Sequence, residues 1–302
     1  MKAFDEIVAH WAAGQPAIQA VVLIGSHVRP EGASNAADEV SDWDFQVITS
    51  APGAFANAGA LDGLIPARRP MTYSCRPAFG GIQRVTALYP EVEVDFVVIN
   101  ATKLRLAKLA TALGAHRRPG SVRDGLSGLA VVIRPGYRFL KGEASWNGFY
   151  QKVIREVPDP RLDDAAIVAL ADGFVCDVVW SERKVRRGEY LAVQRMLHQS
   201  LAETNFLLLH ERRLRQGKVS HPEARRIERV AEAKELAAVT MSATPGPDAL
   251  AAAIQQVKAT LIGLMRDLVP SWRWPEESFD FRIRSGLATK NAKSVVSRMN
   301  LT

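Results

Sequence analysis

Cysteine is nearly missing from this chain: two residues among 302, Cys75 and Cys176, far apart in the sequence. That excludes a disulfide framework and a cysteine-rich zinc site, and it fits a reducing compartment. No apolar run approaches the roughly 18 residues that a membrane span requires. Met1-Lys2-Ala3-Phe4-Asp5-Glu6 carries acids where a signal peptide has bases and apolar residues, so a cytoplasmic, non-membrane protein is expected. The six histidines are scattered and form no His-Cys-acid cluster. Bases are also scarce in the first third. Residues 1–100 hold 6 Lys/Arg against 11 Asp/Glu, a net −5, while residues 101–302 carry +12.

What the first third does have is carboxylates in a pattern. Val21-Val22-Leu23-Ile24 is a short apolar run that ends in Gly25-Ser26. A breaker-rich loop follows, and Ser41-Asp42-Trp43-Asp44 leads into a second apolar run, Phe45-Gln46-Val47-Ile48. In a strand, side chains alternate faces, so Asp42 and Asp44 project together and Trp43 points the other way. Two like charges on one face repel unless a cation lies between them, and a divalent metal is the usual solution. A third strand, Glu91-Val92-Glu93-Val94-Asp95-Phe96-Val97-Val98-Ile99, comes about fifty residues later and places Asp95 and Glu93 on one face. Laid beside the Asp42 strand, it would bring three carboxylates together to hold magnesium against a nucleotide's phosphates. Backbone amides around Gly25 and Ser26, the Ser26 hydroxyl and Arg29 are the candidates for the phosphates themselves.

Gly-Ser, then Asp-x-Asp, then an acid on a later strand resembles the polymerase-beta-like nucleotidyltransferase superfamily. Within it, Gly25-Ser26 and the distant Ser41-Asp42-Trp43-Asp44-Phe45 most resemble the aminoglycoside 6-adenylyltransferase (streptomycin adenylyltransferase) group. The resemblance implies an α+β fold: an N-terminal nucleotidyltransferase domain with a mixed sheet, then an all-α helical bundle. It implies AMP transfer from ATP, with Mg2+, to a hydroxyl of a small, aminoglycoside-like acceptor. Asp42 and Asp44 would be ligands, and Asp95 a third ligand, the general base, or both, with Glu93 in reserve. The piece Trp180-Ser181-Glu182-Arg183-Lys184-Val185-Arg186-Arg187-Gly188-Glu189-Tyr190 resembles the family's helix end, so Lys184 and then Arg187 are candidates for the triphosphate. The candidate acids for an acceptor pocket are Asp172, Asp177, Glu182 and Glu189, yet the basic second half suits a polycation poorly. An RNA or protein acceptor, or a non-catalytic nucleotide-binding protein of the same fold, is the alternative. The residues do not fix an oligomeric state.

Along the chain, helical spacing predicts a first helix over residues 3–13; a small-residue helix is expected over 54–62, loop segments at 68–70 and 74–81, and a hairpin of strands 83–89 and 91–99. Asn100 is expected to cap a helix running to 113, with a last strand at 137–140. Lys141-Gly142-Glu143-Ala144-Ser145 is the expected boundary between domains 1–145 and 146–302. Four bundle helices are expected at 163–187, 190–213, 221–239 and 248–268. Pro270-Ser271-Trp272-Arg273-Trp274-Pro275 and Phe279-Asp280-Phe281-Arg282-Ile283-Arg284 resemble the family's aromatic tail.

Overall fold

The apolar run at 21–24 lies inside a six-stranded sheet. The computed structural model describes residues 4–78, 82–118 and 120–275; the tail motif at 279–284 lies outside them. The strands are β1 (Ile18–Ile24), β2 (Trp43–Thr49), β3 (Thr72–Pro77), β4 (Gln83–Tyr89), β5 (Val92–Asn100) and β6 (Arg138–Lys141). Their order across the sheet is β3-β4-β5-β2-β1-β6. Among the described residues only the β2–β5 pair is parallel, so the sheet is mixed. β1, β2 and β5 are central and covered on both faces, which is why their sequences read as near-continuous apolar runs.

Alternation sorts those runs into two cores. Leu23, Phe45, Val47, Phe96 and Val98 face one way and pack with Val8, Trp11 and Ala12 of α1 (Phe4–Ala13). Val22, Ile24, Ile48 and Ile99 face the other way, toward α2 (Ala101–Ala112), α3 (Ser121–Ile133) and α4 (Glu143–Glu156). Asn100 caps α2 as expected, accepting from the Thr102 and Lys103 amides at 2.9 and 3.1 Å. On the second face the buried Gln46 accepts a hydrogen bond from the Tyr150 hydroxyl at 2.7 Å, so a polar side chain inside the sheet is satisfied.

Three expectations in this part are corrected. Residues 72–77 form an edge strand in place of the loop expected from residue 74, pairing with β4 through Cys75 opposite Val85. Its one-sided alternation is short and flanked by breakers, which hides it. Residues 54–62 are not one helix but two 3-10 turns, Pro52–Ala56 and Ala58–Leu61, parted at Asn57, whose side chain accepts from the Gly59 amide. The packing divides the chain at Arg161/Leu162 and not at 145. Although 141–145 reads as a linker, α4 buries Trp146, Phe149, Tyr150 and Val153 in the second core of the sheet unit.

The second unit is helical. α5 (Asp164–Arg186) begins at Asp163, whose carboxylate accepts from the Ala166 amide at 2.8 Å. α6 (Tyr190–Met196) runs through a π-helical stretch, Leu197–Ala202, into α7 (Glu203–Arg215). The helix expected over 221–239 is instead two short pieces, α8 (Ile227–Val230) and α9 (Ala233–Val239), before α10 (Pro247–Leu268). Glu223, Ala224 and Arg226 have positive φ, which a helix does not allow. The buried Arg213 explains what stabilises this irregular path. Its guanidinium donates to the Val219 and Val230 carbonyls and pairs with the buried Glu235. Those carbonyls find their partner in a side chain instead of a helical amide. Ile167, Phe174 and Val178 of α5 pack with Leu197, Leu208, Leu261 and Leu264 in one core.

Replacing Arg213 by Met leaves Glu235 buried without that partner and takes the donors from both carbonyls. Urea unfolding of Arg213→Met should show a loss of about 3–5 kcal/mol; a loss below about 1 kcal/mol would mean that the pair does not hold this segment.

Candidate functional site

The sheet brings the carboxylates together because β2 and β5 run parallel and in step. Asp44 stands opposite Asp95 in that register, and Asp42 comes two residues earlier, immediately before β2. Each of Asp42, Asp44 and Asp95 offers a carboxylate oxygen, and these atoms all lie within 4.8 Å of one another. Asp95 is buried, while Asp42 and Asp44 are half-buried. Glu93 is exposed and stands outside this trio.

The turn after β1 closes the site on one side. Ile24 pairs with Asp44 in the antiparallel register, so Gly25 follows directly beside that carboxylate. Gly25 has φ +76°, and a Cβ added there would come 2.2 Å from Asp44 Oδ2. Both the backbone conformation and the space require glycine. Gly25–Val28 then makes a 3-10 turn. Arg29 folds back to donate from Nε to the Gly25 carbonyl at 3.2 Å, and the Ser26 carbonyl accepts from the Arg29 and Ala37 amides. The Ser26 hydroxyl is buried without a hydrogen-bond partner among the described residues. Trp43 points to the opposite face, as its place between the two aspartates requires, and stacks on His27 with ring centroids 3.8 Å apart.

One member of the site was not foreseen. Arg84 of β4 donates to Asp95 Oδ2 from Nε at 3.2 Å and from Nη2 at 2.7 Å. The hydrogen bond to Asp95, opposed by partial burial and aided by the charges of Asp95, Asp44 and Asp42, raises the guanidinium pKa above its ordinary value. The signal was present in the hairpin. A turn at Pro90-Glu91 pairs Tyr89 with Val92, which sets Thr86 opposite Asp95 and Arg84 one step along the same face. A long side chain reaches that diagonal neighbour.

The donor set fits a hard divalent cation, which takes carboxylate oxygens. Asp95 supplies the more specific observation: its Oδ2 is engaged by Arg84, while its Oδ1 is buried and has no hydrogen-bond partner among the described residues. A buried carboxylate oxygen without a donor is costly unless a cation or a proton serves it.

Lys184 and Arg187 lie in the second unit, where α5 ends and the chain turns through Gly188. Lys184 pairs with Glu189 and rests 5.4 Å from the Trp180 ring centroid. Of the acids considered for an acceptor pocket, Asp172 accepts from Trp272 Nε1 at 3.1 Å and Asp177 accepts from the Ser200 hydroxyl. These pairings place the three acids Asp172, Asp177 and Glu189 in the internal bonding of the helical unit.

No family model matches the chain, and no curated protein matches it. Solved structures do. An aminoglycoside 6-adenyltransferase from Bacillus subtilis is similar over 91% of this chain and 94% of its own, at 10% identity and a TM-score of 0.38. A nucleotidyltransferase-like protein from Exiguobacterium sibiricum 255-15 is similar over 88% of this chain and 76% of its own, at 12% identity and a TM-score of 0.32.

The contact between Gly25 and Asp44 is testable against a glycine with the same backbone and open space. Gly32 has φ +81° and nothing within 4 Å of an added Cβ. Gly32→Ala should cost about 1 kcal/mol for the backbone alone. Gly25→Ala should cost at least about 2 kcal/mol in the same urea titration, and its crystal structure should show the Asp44 carboxylate displaced. Equal costs and an unmoved Asp44 would mean that the turn does not bear on the site.

Proposed function

We propose that this chain is a magnesium-dependent nucleotidyltransferase that moves AMP from ATP to a hydroxyl of a small-molecule acceptor of the aminoglycoside kind. The observation that carries the reading is the meeting of Asp42, Asp44 and Asp95 beside the Gly25 turn. ATP as donor and an aminoglycoside as acceptor follow from the resemblance of Gly25-Ser26 and Ser41-Asp42-Trp43-Asp44-Phe45 to the adenylyltransferase group.

Asp42 and Asp44 would hold Mg2+, with Asp95 Oδ1 as the third donor. When bound, the cation supplies charge neutralisation at the phosphates and lowers the pKa of a hydroxyl beside it. Gly25 lets the backbone approach a phosphate closely, and the unpartnered Ser26 hydroxyl is a donor that a phosphate oxygen would satisfy. Arg29, drawn back onto the Gly25 carbonyl, keeps a positive charge at the same turn. In the transfer, the acceptor oxygen forms a bond to the α-phosphorus as the bond to the bridging oxygen breaks and pyrophosphate leaves. The hydroxyl proton passes to a site carboxylate or to water. The carboxylates therefore orient the attacking oxygen and the leaving group in line, which is the main demand of phosphoryl chemistry.

Incubation of the full chain with ATP labelled at the α-phosphate, Mg2+ and a panel of aminoglycosides should yield an acceptor heavier by one AMP in mass spectrometry. Asp44→Asn should reduce that transfer at least about 100-fold with the circular dichroism unchanged. Full activity in Asp44→Asn would end the reading. Label appearing on tRNA rather than on any aminoglycoside would keep the transfer and overturn the acceptor.

A further inference from the structure

α2 has two apolar faces, and among the described residues only one of them is covered. Ala101, Leu104 and Thr111 are buried, the first two in the second core of the sheet unit. Leu106, Leu109 and Leu113, the last at the helix's C-terminal cap, are spaced i, i+3 and i+7. At 3.6 residues per turn they fall on the side away from the buried residues, and they are 62%, 58% and 79% exposed. Lys103 and Arg105 stand on the two flanks of that row. Arg105 Nη2 donates to Gln19 Oε1 at 2.9 Å, and Lys108 Nζ donates to the Ser145 carbonyl at 2.9 Å, so both of these partners are neutral groups. From Phe96 to Arg123 the chain carries Lys103, Arg105, Lys108, Arg117, Arg118 and Arg123 and no Asp or Glu. Arg117 lies 3.9 Å from Glu156, and Arg118 is exposed. A basic segment with an outward row of leucines thus stands out from the acidic first third of the chain.

We propose that the outer face of α2 docks on an anionic lipid surface, with the three leucines entering the headgroup boundary and the cations meeting the lipids' negative groups. The leucines call for an apolar medium and the basic surround for negative charge, and a bilayer containing acidic lipid offers both in one plane. A second copy of the same face would match the leucines but set Lys103 and Arg105 against like charges across a two-fold axis. Nucleic acid matches the charge but leaves the leucines against phosphates and water. A stable protein interface takes roughly 20–30 residues a side, far more than this one row supplies. Among the described residues no helix is long and apolar enough to cross a membrane, so α2 lies along the surface and does not enter the bilayer core. The docking is independent of the proposed nucleotidyl transfer.

The test is co-sedimentation of the full chain with phosphatidylcholine vesicles containing about one third phosphatidylserine, beside vesicles of phosphatidylcholine alone. The wild-type chain should sediment with the acidic vesicles and stay in solution with the neutral ones. A variant carrying Leu106→Gln, Leu109→Gln and Leu113→Gln should bind the acidic vesicles at least about ten-fold more weakly. Arg105→Gln should bind them about five-fold more weakly, and raising the salt to about 0.5 M should weaken the wild type as well. All four positions are exposed, and circular dichroism with urea unfolding confirms that each variant folds. A wild-type chain that stays in solution with acidic vesicles overturns the proposal, and so does a leucine variant that sediments as well as wild type. Analytical ultracentrifugation without lipid should show no dimer that depends on these leucines; a dimer lost in the leucine variant would give the face to a second copy and overturn the lipid assignment.

Discussion

Asp44 and Asp95 stand side by side because two buried strands run parallel in register, and that enforced meeting of like charges governs the rest of the site. Their nearest oxygens and one from Asp42 lie within 4.8 Å of one another. At such a separation, and an effective dielectric near 20, each pair costs roughly 3 kcal/mol. A protein that only needed a soluble strand end would not place them so. The repulsion is answered in part by Arg84, which reaches from the neighbouring hairpin strand to Asp95. In the proposed reading, a bound cation would add to that neutralisation.

Everything around the acids serves to keep them from moving apart. β2 and β5 are held by apolar packing on both faces, with Phe45 and Phe96 in one core and Ile48 and Ile99 in the other. Close-packed cores do not shift by small amounts, so the strand register, and with it the spacing of the carboxylates, is fixed. Further along the same face, Tyr150 ties Gln46 to α4. At the open end, Gly25 lets the chain pass within contact of Asp44 where any side chain would collide. The stacking of Trp43 on His27 anchors the residue between Asp42 and Asp44 to the opposite face, so alternation is enforced on both sides.

Much of this could be read from the residues because it depends on short periods. Alternation over 42–48 and 91–99 placed the acids on one face, and the break at Gly25 placed the turn. The elements that escaped depend on distant partners. β3 exists because β4 offers it an edge. α4 belongs to the sheet unit because its aromatic face fits the second core, although the residues before it resemble a linker. The helix expected over 221–239 is broken by a buried guanidinium from α7 that offers the backbone better partners than itself. Arg84 lay within reach of reasoning, since the hairpin register alone points it at Asp95, but an arginine on a half-exposed strand draws no attention until the carboxylate beside it is known to be buried.

The claim on which the account turns is that Asp42, Asp44 and Asp95 share one cation. Anomalous diffraction from crystals of the full chain soaked in manganese tests it without reference to any substrate. The account predicts a peak within coordination distance of all three carboxylates, beside the Gly25 turn. A map without a peak there, or with its peaks only at other acids, would contradict it.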